Sequence, residues 1–516
     1  MVASFMVACK GDRGDSTTKR SHNNISGDGP DIDVDGNQDK VRIYTRDAAG
    51  ATDGDYILLE FNGTGSTNQA LRDAVKSRNE AVEGWLNVKL EIISELGGMD
   101  NAQAWSNKVK NAATADKNDL FDICALYASQ GSPLATVGAF LDVNLLPQGE
   151  KNALNLNKKY WNQILKDDLN IDGSLFMLCG DMSLTSTAFS QAIFYNKNMF
   201  NEYLANNADF NNKYSSYKLE RTEEEIEAGY NMLHDIVDGG GWTMQTFSDI
   251  ASRVYVDNGT PGKNDGDIFG LSIDIASSPL DAWVAAFDIK IVEKNAQTGA
   301  RTLAFENPSN LSRATQAWNM SKELLTANRG VHAFEVNKEG AVKEFGSGNS
   351  LFTMARLCDA ESFRDTADWE YGILPLPKYD VQQLNYYTLP HNAYSLIAVA
   401  ANLERNREEL IACALELLAY ESSVEITPTY YEVILKGQYS DKQVDADMYD
   451  IILGNIRLDF GAVFSTASLS GISNNFRYTD ESFSKTWQSK KSVYTENLTK
   501  LVDALKEQSR LQRQYS

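Results

Sequence analysis

The sequence predicts an α/β fold. Strand-like apolar runs alternate with helical segments from Lys40 onward, the pattern of a sheet with crossover connections. The 516 residues are enough for two or three lobes with ample core. No apolar run reaches the roughly 18–20 residues of a membrane-spanning helix. In such sheets ligands sit beyond the carboxyl ends of the strands, so the loops that follow strands are searched for contacts.

Ahead of the alternating region, eight mostly apolar residues run into Cys9, and a polar, acidic, Gly-rich stretch follows to Asp39. The first eight read as the end of a secretory signal's apolar region. The basic start of such a signal is missing, so the chain is expected to begin downstream of the true start. Residues 10–39 read as a flexible tether. Asp31, Asp33, Asp35 and Gly36 open like an EF-hand calcium loop, but its twelfth position falls on Arg42 and no helix flanks it, so they are assigned to the tether.

The first strand is expected at Lys40–Arg46 and a second extended segment at Asp55–Phe61. Asn68–Leu86 is helical, with Leu71, Val75, Ala81 and Leu86 near one face. Val88–Leu96 alternates as a strand, Asn101–Asp116 is a helix, and Asp119–Tyr127 is a buried strand. ASQGSPLATVG after Tyr127 is a small-residue loop and the first candidate ligand contact.

SLFMLCGDM and SQAIFYNKNMF read as strands flanking a polar loop. Arg221–Gly240 reads as one long helix, with Thr222 and Glu225 in a capping-box pattern and Gly239–Gly241 ending it. A helix capped by Thr243 follows, then the strand GDIFGLSID and an apolar helix at Leu280–Ile289. Asn310–Asn328 is an amphipathic helix. Pro375 and Pro377 hold GILPLP extended, and YSLIAVA is a second extended pass. Arg407–Ser423 is a strong helix, TPTYYEVILKGQYSDKQVDADMYDIILGNI is mostly helical, and the C-terminus is a helix with a charged end.

Composition narrows the function. A net charge of −23 leaves no broad basic face for nucleic acid or for an anionic membrane. The five cysteines contain no CxxC pair and only four histidines accompany them, so no zinc site or other cofactor is expected. Cys124, Cys179, Cys358 and Cys413 read as small apolar core residues. The acidic, Gly-rich run Asp257–Asp267 is either a structural calcium loop or a plain turn.

Two resemblances add to this reading. Met6–Cys9, MVAC, resembles the lipobox of bacterial lipoproteins, with Met6 where leucine is usual. That implies lipidation of Cys9; the alternative is a chance cysteine in a disordered tail. From Lys40 to the end, the chain resembles the family 1 extracellular solute-binding proteins of ABC importers, the maltose-binding-protein-like family. FDICALYASQGSPLATVGAFLDV resembles the family's strand, ligand loop and helix, and SQAIFYNKNMF its interlobe crossing. GGGWTMQTFSDIASRVYVDN with DGDIFGLS, WEYGILPLPKYD, and TPTYYEVILKGQYSDKQVDADMYDII complete the match in order. The loop MSLTSTAFS lacks the acidic residue that some sugar binders carry there.

The resemblance implies a two-lobed, type II periplasmic-binding-protein-like fold, each lobe a mixed sheet flanked by helices. Lobe one would hold residues 40–190 and about 385–460, and lobe two 195–375 and about 465–516. It implies a monomeric, non-enzymatic lipoprotein at the cell envelope that captures a carbohydrate between its lobes and passes it to permease subunits. Contact with the membrane would be through the lipid alone.

Tyr127, Ser129 and Gln130 are the lobe-one candidates, by position after a strand; Tyr127 could equally be core. Asp181 and Thr187 could bond sugar hydroxyls or cap turns. From lobe two, Asp281 and Trp283 follow a strand, and Trp283 either stacks on a pyranose or fills the core. Phe352 and Arg356 occupy the region that supplies a lobe-two aromatic in similar proteins, and Arg477 and Tyr478 are either ligand contacts or an ordinary surface loop. The competing functions are a glycoside hydrolase, which needs two facing carboxylates, and a surface glycan-binding lipoprotein without a transporter.

Overall fold

The computed structural model describes residues 29–48, 54–65, 68–264, 266–275, 277–334, 340–366, 369–431, 443–464 and 481–515. Cys9, Arg477 and Tyr478 lie outside the described residues. The chain lays down β1 (Lys40–Asp47), β2 (Lys89–Leu96) and β3 (Ile123–Tyr127), then crosses into β4 (Gln191–Asn196). β5 (Tyr255–Val256), β6 (Ile268–Asp274), β7 (Val292–Lys294), β8 (Arg301–Leu303), β9 (Val331–Phe334), β10 (Ser350–Arg356) and β11 (Tyr371–Leu374) follow, and the chain returns with β12 (Ser395–Val399).

Two sheets result. The first has the order β12-β3-β1-β2, with β1, β2 and β3 parallel and β12 antiparallel to β3. The second runs β11-β4-β10-β6-β5, with β9 also beside β6. β6, β9 and β10 are parallel, while β4 runs against β10 and β11. β7 and β8 form a separate hairpin. Helices pack on each sheet, and β3, β4, β11 and β12 are buried along their whole length. The fold class is therefore α/β, as the alternation predicted, with the two sheet-centred bodies that the resemblance implied.

Several elements differ from the sequence reading. Asp55–Phe61 is part of a helix, Gly54–Asn62. It is buried on several sides, so its short apolar run carries no decisive period. SLFMLCGDM forms single bridges, Leu178 to Ile397 and Trp161 to Gly180, and no full strand. SQAIFYNKNMF is a strand only to Asn196, whose side chain accepts from Met199 N and starts a helical turn at Lys197. The expected long helix is two, Glu223–Glu227 and Met232–Asp238. Gly229, at φ +94°, breaks the run, and Asn231 caps the second piece. ASQGSPLATVG is a helical turn, Ala128–Gly131, and a 3-10 segment, Ser132–Val137. A Cβ at Gly131 would stand 2.7–2.8 Å from the Leu126 side chain, so only glycine lets this turn fold back on β3. Asp267 accepts from the backbone N–H of Asn258 at 3.0 Å.

The last helix, Phe483–Tyr515, touches both bodies. Its Phe483 and Trp487 pack on Phe305, at 4.9 and 5.5 Å, just ahead of the Pro308–Thr326 helix beside β9. Further along, Gln512 donates to Phe140 O and accepts from Asp142 N, both at 2.7 Å, and Ser509 pairs with Ser174 at 2.7 Å. The expected boundary assigned this helix to lobe two; its contacts are with both.

Candidate ligand-binding cleft

The carboxyl end of β3 and the amino end of β12 lie side by side, because the two strands are antiparallel and Tyr127 pairs with Ser395. The Tyr127 hydroxyl donates to Asn392 Oδ1 at 2.9 Å. Arg46, fully buried, stacks its guanidinium 5.0 Å from the Tyr127 ring and donates to Ala393 O at 2.8 Å. This loop is therefore held from behind by two side chains of the first body, Tyr127 and Arg46.

In front of it is a narrow cavity between the bodies. Ser129 and Asn392 line it from the first body, and Asp281, Val284 and Ala285 on the Ser277–Ala286 helix from the second. Leu389, Pro390, Tyr394 and Asp459 close the rest. The cavity is about 40 Å³, close to the volume of one water and far below the 300 Å³ and more of a ligand pocket. The bodies are thus drawn together, leaving no room at this point for a ligand-sized molecule.

The lining suits a hydroxylated ligand that carries no negative charge. Among the described residues no Lys or Arg lines the cavity, and two carboxyls do. Asp459 caps a short helix by accepting from Ala462 N at 2.8 Å, and burial holds its carboxyl above the ordinary range. The Tyr394 hydroxyl is buried with no hydrogen-bond partner, and burial holds this phenol well above its ordinary range. A buried hydroxyl facing a cavity without a partner is a ready contact for a ligand oxygen.

The expected site residues separate into groups. Ser129 and Asp281 meet across the cavity. Tyr127 lies behind it as the support of Asn392. Gln130 donates to the Met99 sulfur at 3.8 Å. Trp283 is 1% exposed and packs against Phe287, and Phe352 is fully buried against Trp242 and Phe247. Both fill the core of the second body and present no face to a ligand in this conformation. Arg356 pairs with Asp359 at 2.8 Å and lies 5.6 Å from the Phe189 ring beside the first crossing. Asp181 and Thr187 line a different pocket.

Asn392, Tyr394 and Asp459 also line the cavity and are not among the expected residues. The strand-end rule points to carboxyl ends, whereas the antiparallel β12 brings its amino end to the same place. PHNAY before YSLIAVA, a Pro-led polar loop entering a buried strand, was the available signal.

No family model and no curated protein sequence matches the chain. Solved structures do. A cyclo/maltodextrin-binding protein in complex with maltotetraose is similar at a TM-score of 0.50 and 12% identity, covering 91% of this chain and 97% of that one. UgpB from Mycobacterium tuberculosis in complex with glycerophosphocholine is similar at 0.50 and 12%, covering 91% and 99%.

The chain has the two-lobed solute-binding-protein fold.

Within that fold the first sheet and the second sheet are the two lobes, and the cavity between Ser129 and Asp281 occupies the interlobe cleft. No helix among the described residues is long and apolar enough to cross a membrane.

Proposed function

We propose that the chain is the substrate-binding component of an ABC importer that captures a carbohydrate, an oligosaccharide, in the interlobe cleft and delivers it to a membrane permease. The observation that carries the reading is the cleft lining: Ser129, Asn392, Tyr394 and Asp281 offer hydrogen bonds around an apolar floor of Val284, Ala285 and Leu389. Sugars present the same alternation of hydroxyl rim and apolar C–H face. The maltotetraose complex of a similarly folded protein supports the ligand class. On this reading the chain binds its ligand without turning it over and acts as a monomer. Cys9 carries a lipid that keeps the protein at the outer face of the membrane; its tether ends short of the expected Asp39, because Ile32 is 1% exposed in the core and Gly36 N donates to Leu86 O at 2.6 Å.

The test is a thermal-shift and calorimetric panel of mono- and oligosaccharides with peptides as controls. A ligand at about 100 times its dissociation constant adds roughly 2.7 kcal/mol to stability. A shift with one glycan series, lost in Asn392→Ala, is expected. Silence across all sugars with a shift from peptides sinks the carbohydrate reading. Mass spectrometry of detergent-extracted protein reads the lipid separately, and an unmodified Cys9 removes the anchor.

A further inference from the structure

The β7–β8 hairpin belongs to the second lobe but reaches the first. In the chain it lies between the Ser277–Ala286 and Pro308–Thr326 helices, and Asn310 of the latter donates to Glu293 at 2.9 Å. Its tip is closed by its own bonds. Asn295 N donates to Ala300 O and Gly299 N to Asn295 O, both at 2.8 Å, with Gly299 at φ +70°. This prong meets the carbonyl end of the Gln163–Leu169 helix. That helix is part of the first lobe, through Asn162 N on Cys179 O at 2.9 Å and the bridge from Leu178 to Ile397 of β12.

The last carbonyls of a helix have no partner inside it. Here the second lobe supplies partners. Lys294 Nζ donates to Asp167 O, and Arg301 Nη2 donates to Asp168 O and, at 3.2 Å, to Asn170 O. Arg301 also lies 4.5 Å from the ring of Phe460, whose backbone N–H donates to the Asp168 carboxylate. Asp459, one residue earlier, lines the cleft cavity, so the contact sits at the edge of the cleft. Two observations mark the hairpin as built for this contact. Lys294 and Arg301 stand directly opposite each other in the β7–β8 register, and like charges so placed destabilise a hairpin on its own. Their repulsion is offset where the negative end of the helix, with Asp167, Asp168 and Asp172 in the same segment, faces them. Second, Arg301 Nε is buried without a hydrogen-bond partner. Docking deprives this group of water, which works against the contact and keeps it from being permanent.

We propose that the β7–β8 hairpin is an electrostatic latch on the interlobe cleft. Lys294 and Arg301 dock on the carbonyl end of the Gln163–Leu169 helix when the lobes are together and let go when they part. Salt screens both the helix end and the carboxylates, so the latched fraction falls as ionic strength rises. The latch biases the chain toward the closed arrangement before any ligand is present. It rests on the lobes being able to part and not on what they capture, so it is read without a ligand and stands or falls apart from the carbohydrate reading.

The test is small-angle scattering of the full, ligand-free chain at about 0.02 M and about 0.5 M salt. The parent chain is expected to be compact at low salt and to expand at high salt. Self-repulsion at a net charge of −23 would give the opposite trend, compaction on adding salt. The double variant Lys294→Gln with Arg301→Gln should have the larger radius of gyration at low salt and lose the expansion at high salt. Lys343→Gln, at an exposed lysine of the second lobe, removes a charge elsewhere and should behave as the parent. Lys294→Glu, at a half-buried position, turns a carboxylate toward the helix carbonyls and should expand the chain at low salt. It gives a second reading if the double variant folds poorly by circular dichroism. Equal radii for the parent and the latch variants at low salt overturn the proposal. So does a parent radius indifferent to salt, and so does equal expansion in Lys343→Gln, which would make net charge the cause.

Discussion

The hydroxyl of Tyr127 donates to Oδ1 of Asn392, joining the end of β3 to the loop that enters β12. Neither residue is near the other in sequence, yet the bond decides which way the Asn392 amide faces. With its oxygen engaged behind, the NH₂ group is the part left for the cavity. Tyr127→Phe is expected to keep the fold and weaken ligand binding by about tenfold, the cost of about 1–2 kcal/mol for an acceptor left unmade and an amide free to turn. Calorimetry with the ligand from the panel checks it; an unchanged affinity would show that Asn392 does not orient ligand.

Closure is the second test. Ala285 lines a cavity of about 40 Å³, so an indole there cannot be accommodated with the lobes together. Ala285→Trp is expected to hold the cleft open, with the melting temperature little changed. Small-angle scattering should then show no ligand-induced compaction, while the parent chain compacts. Equal compaction in both would place the hinge motion elsewhere.

Glu416 is 1% exposed and receives Asn155 N at 2.9 Å, the Trp161 indole at 3.2 Å and the Tyr160 hydroxyl. Glu416→Ala strands three buried donors and should cost about 2–4 kcal/mol, read as a lower midpoint in urea. Glu416→Gln, which keeps an acceptor, should lose less. Equal losses would mean that packing volume, and not hydrogen bonding, sets the effect.

His234 gives the acid response. Burial, aided by the positive charges of Lys197 and Arg221, pushes its imidazole down from 6.5 to about 3. The folded state favours the neutral ring, so this contribution to stability is complete above about pH 6.5 and is lost as pH falls toward about 3. The loss approaches about 4 kcal/mol at the acid end. His234→Gln should flatten the slope of unfolding free energy in that window. An unchanged slope would assign acid sensitivity to carboxyl groups alone.

Local signals were the most legible part of the sequence. Thr222 with Glu225 does form a capping box, and Thr243 does cap its helix, because each rests on a few neighbouring atoms. Asp55–Phe61 was misread because burial on several sides erases the period that separates helix from strand. The rule of strand ends points to Ser129 and Asp281, which line the cavity between the bodies. Trp283 and Phe352 obey the same rule of position but face inward, and which way a side chain faces depends on packing that spacing does not encode. Asn392 and Asp459 reach the cleft only through pairings far apart in the chain.

The helix Phe483–Tyr515, about 50 Å long at 1.5 Å per residue, is clamped near its start by Phe305 and near its end by Phe140 and Asp142. Its consequence is kinetic. A rigid strut fixed to both lobes means that parting them must first release one clamp, so opening becomes an activated event. At high ligand concentration the observed association rate in stopped flow should level off at the opening rate. Gln512→Ala, which removes two bonds of the distal clamp, should raise that plateau; a rate that climbs linearly without limit would mean the lobes part freely. Uptake would then be paced by the protein's own latch and not by the supply of its cargo.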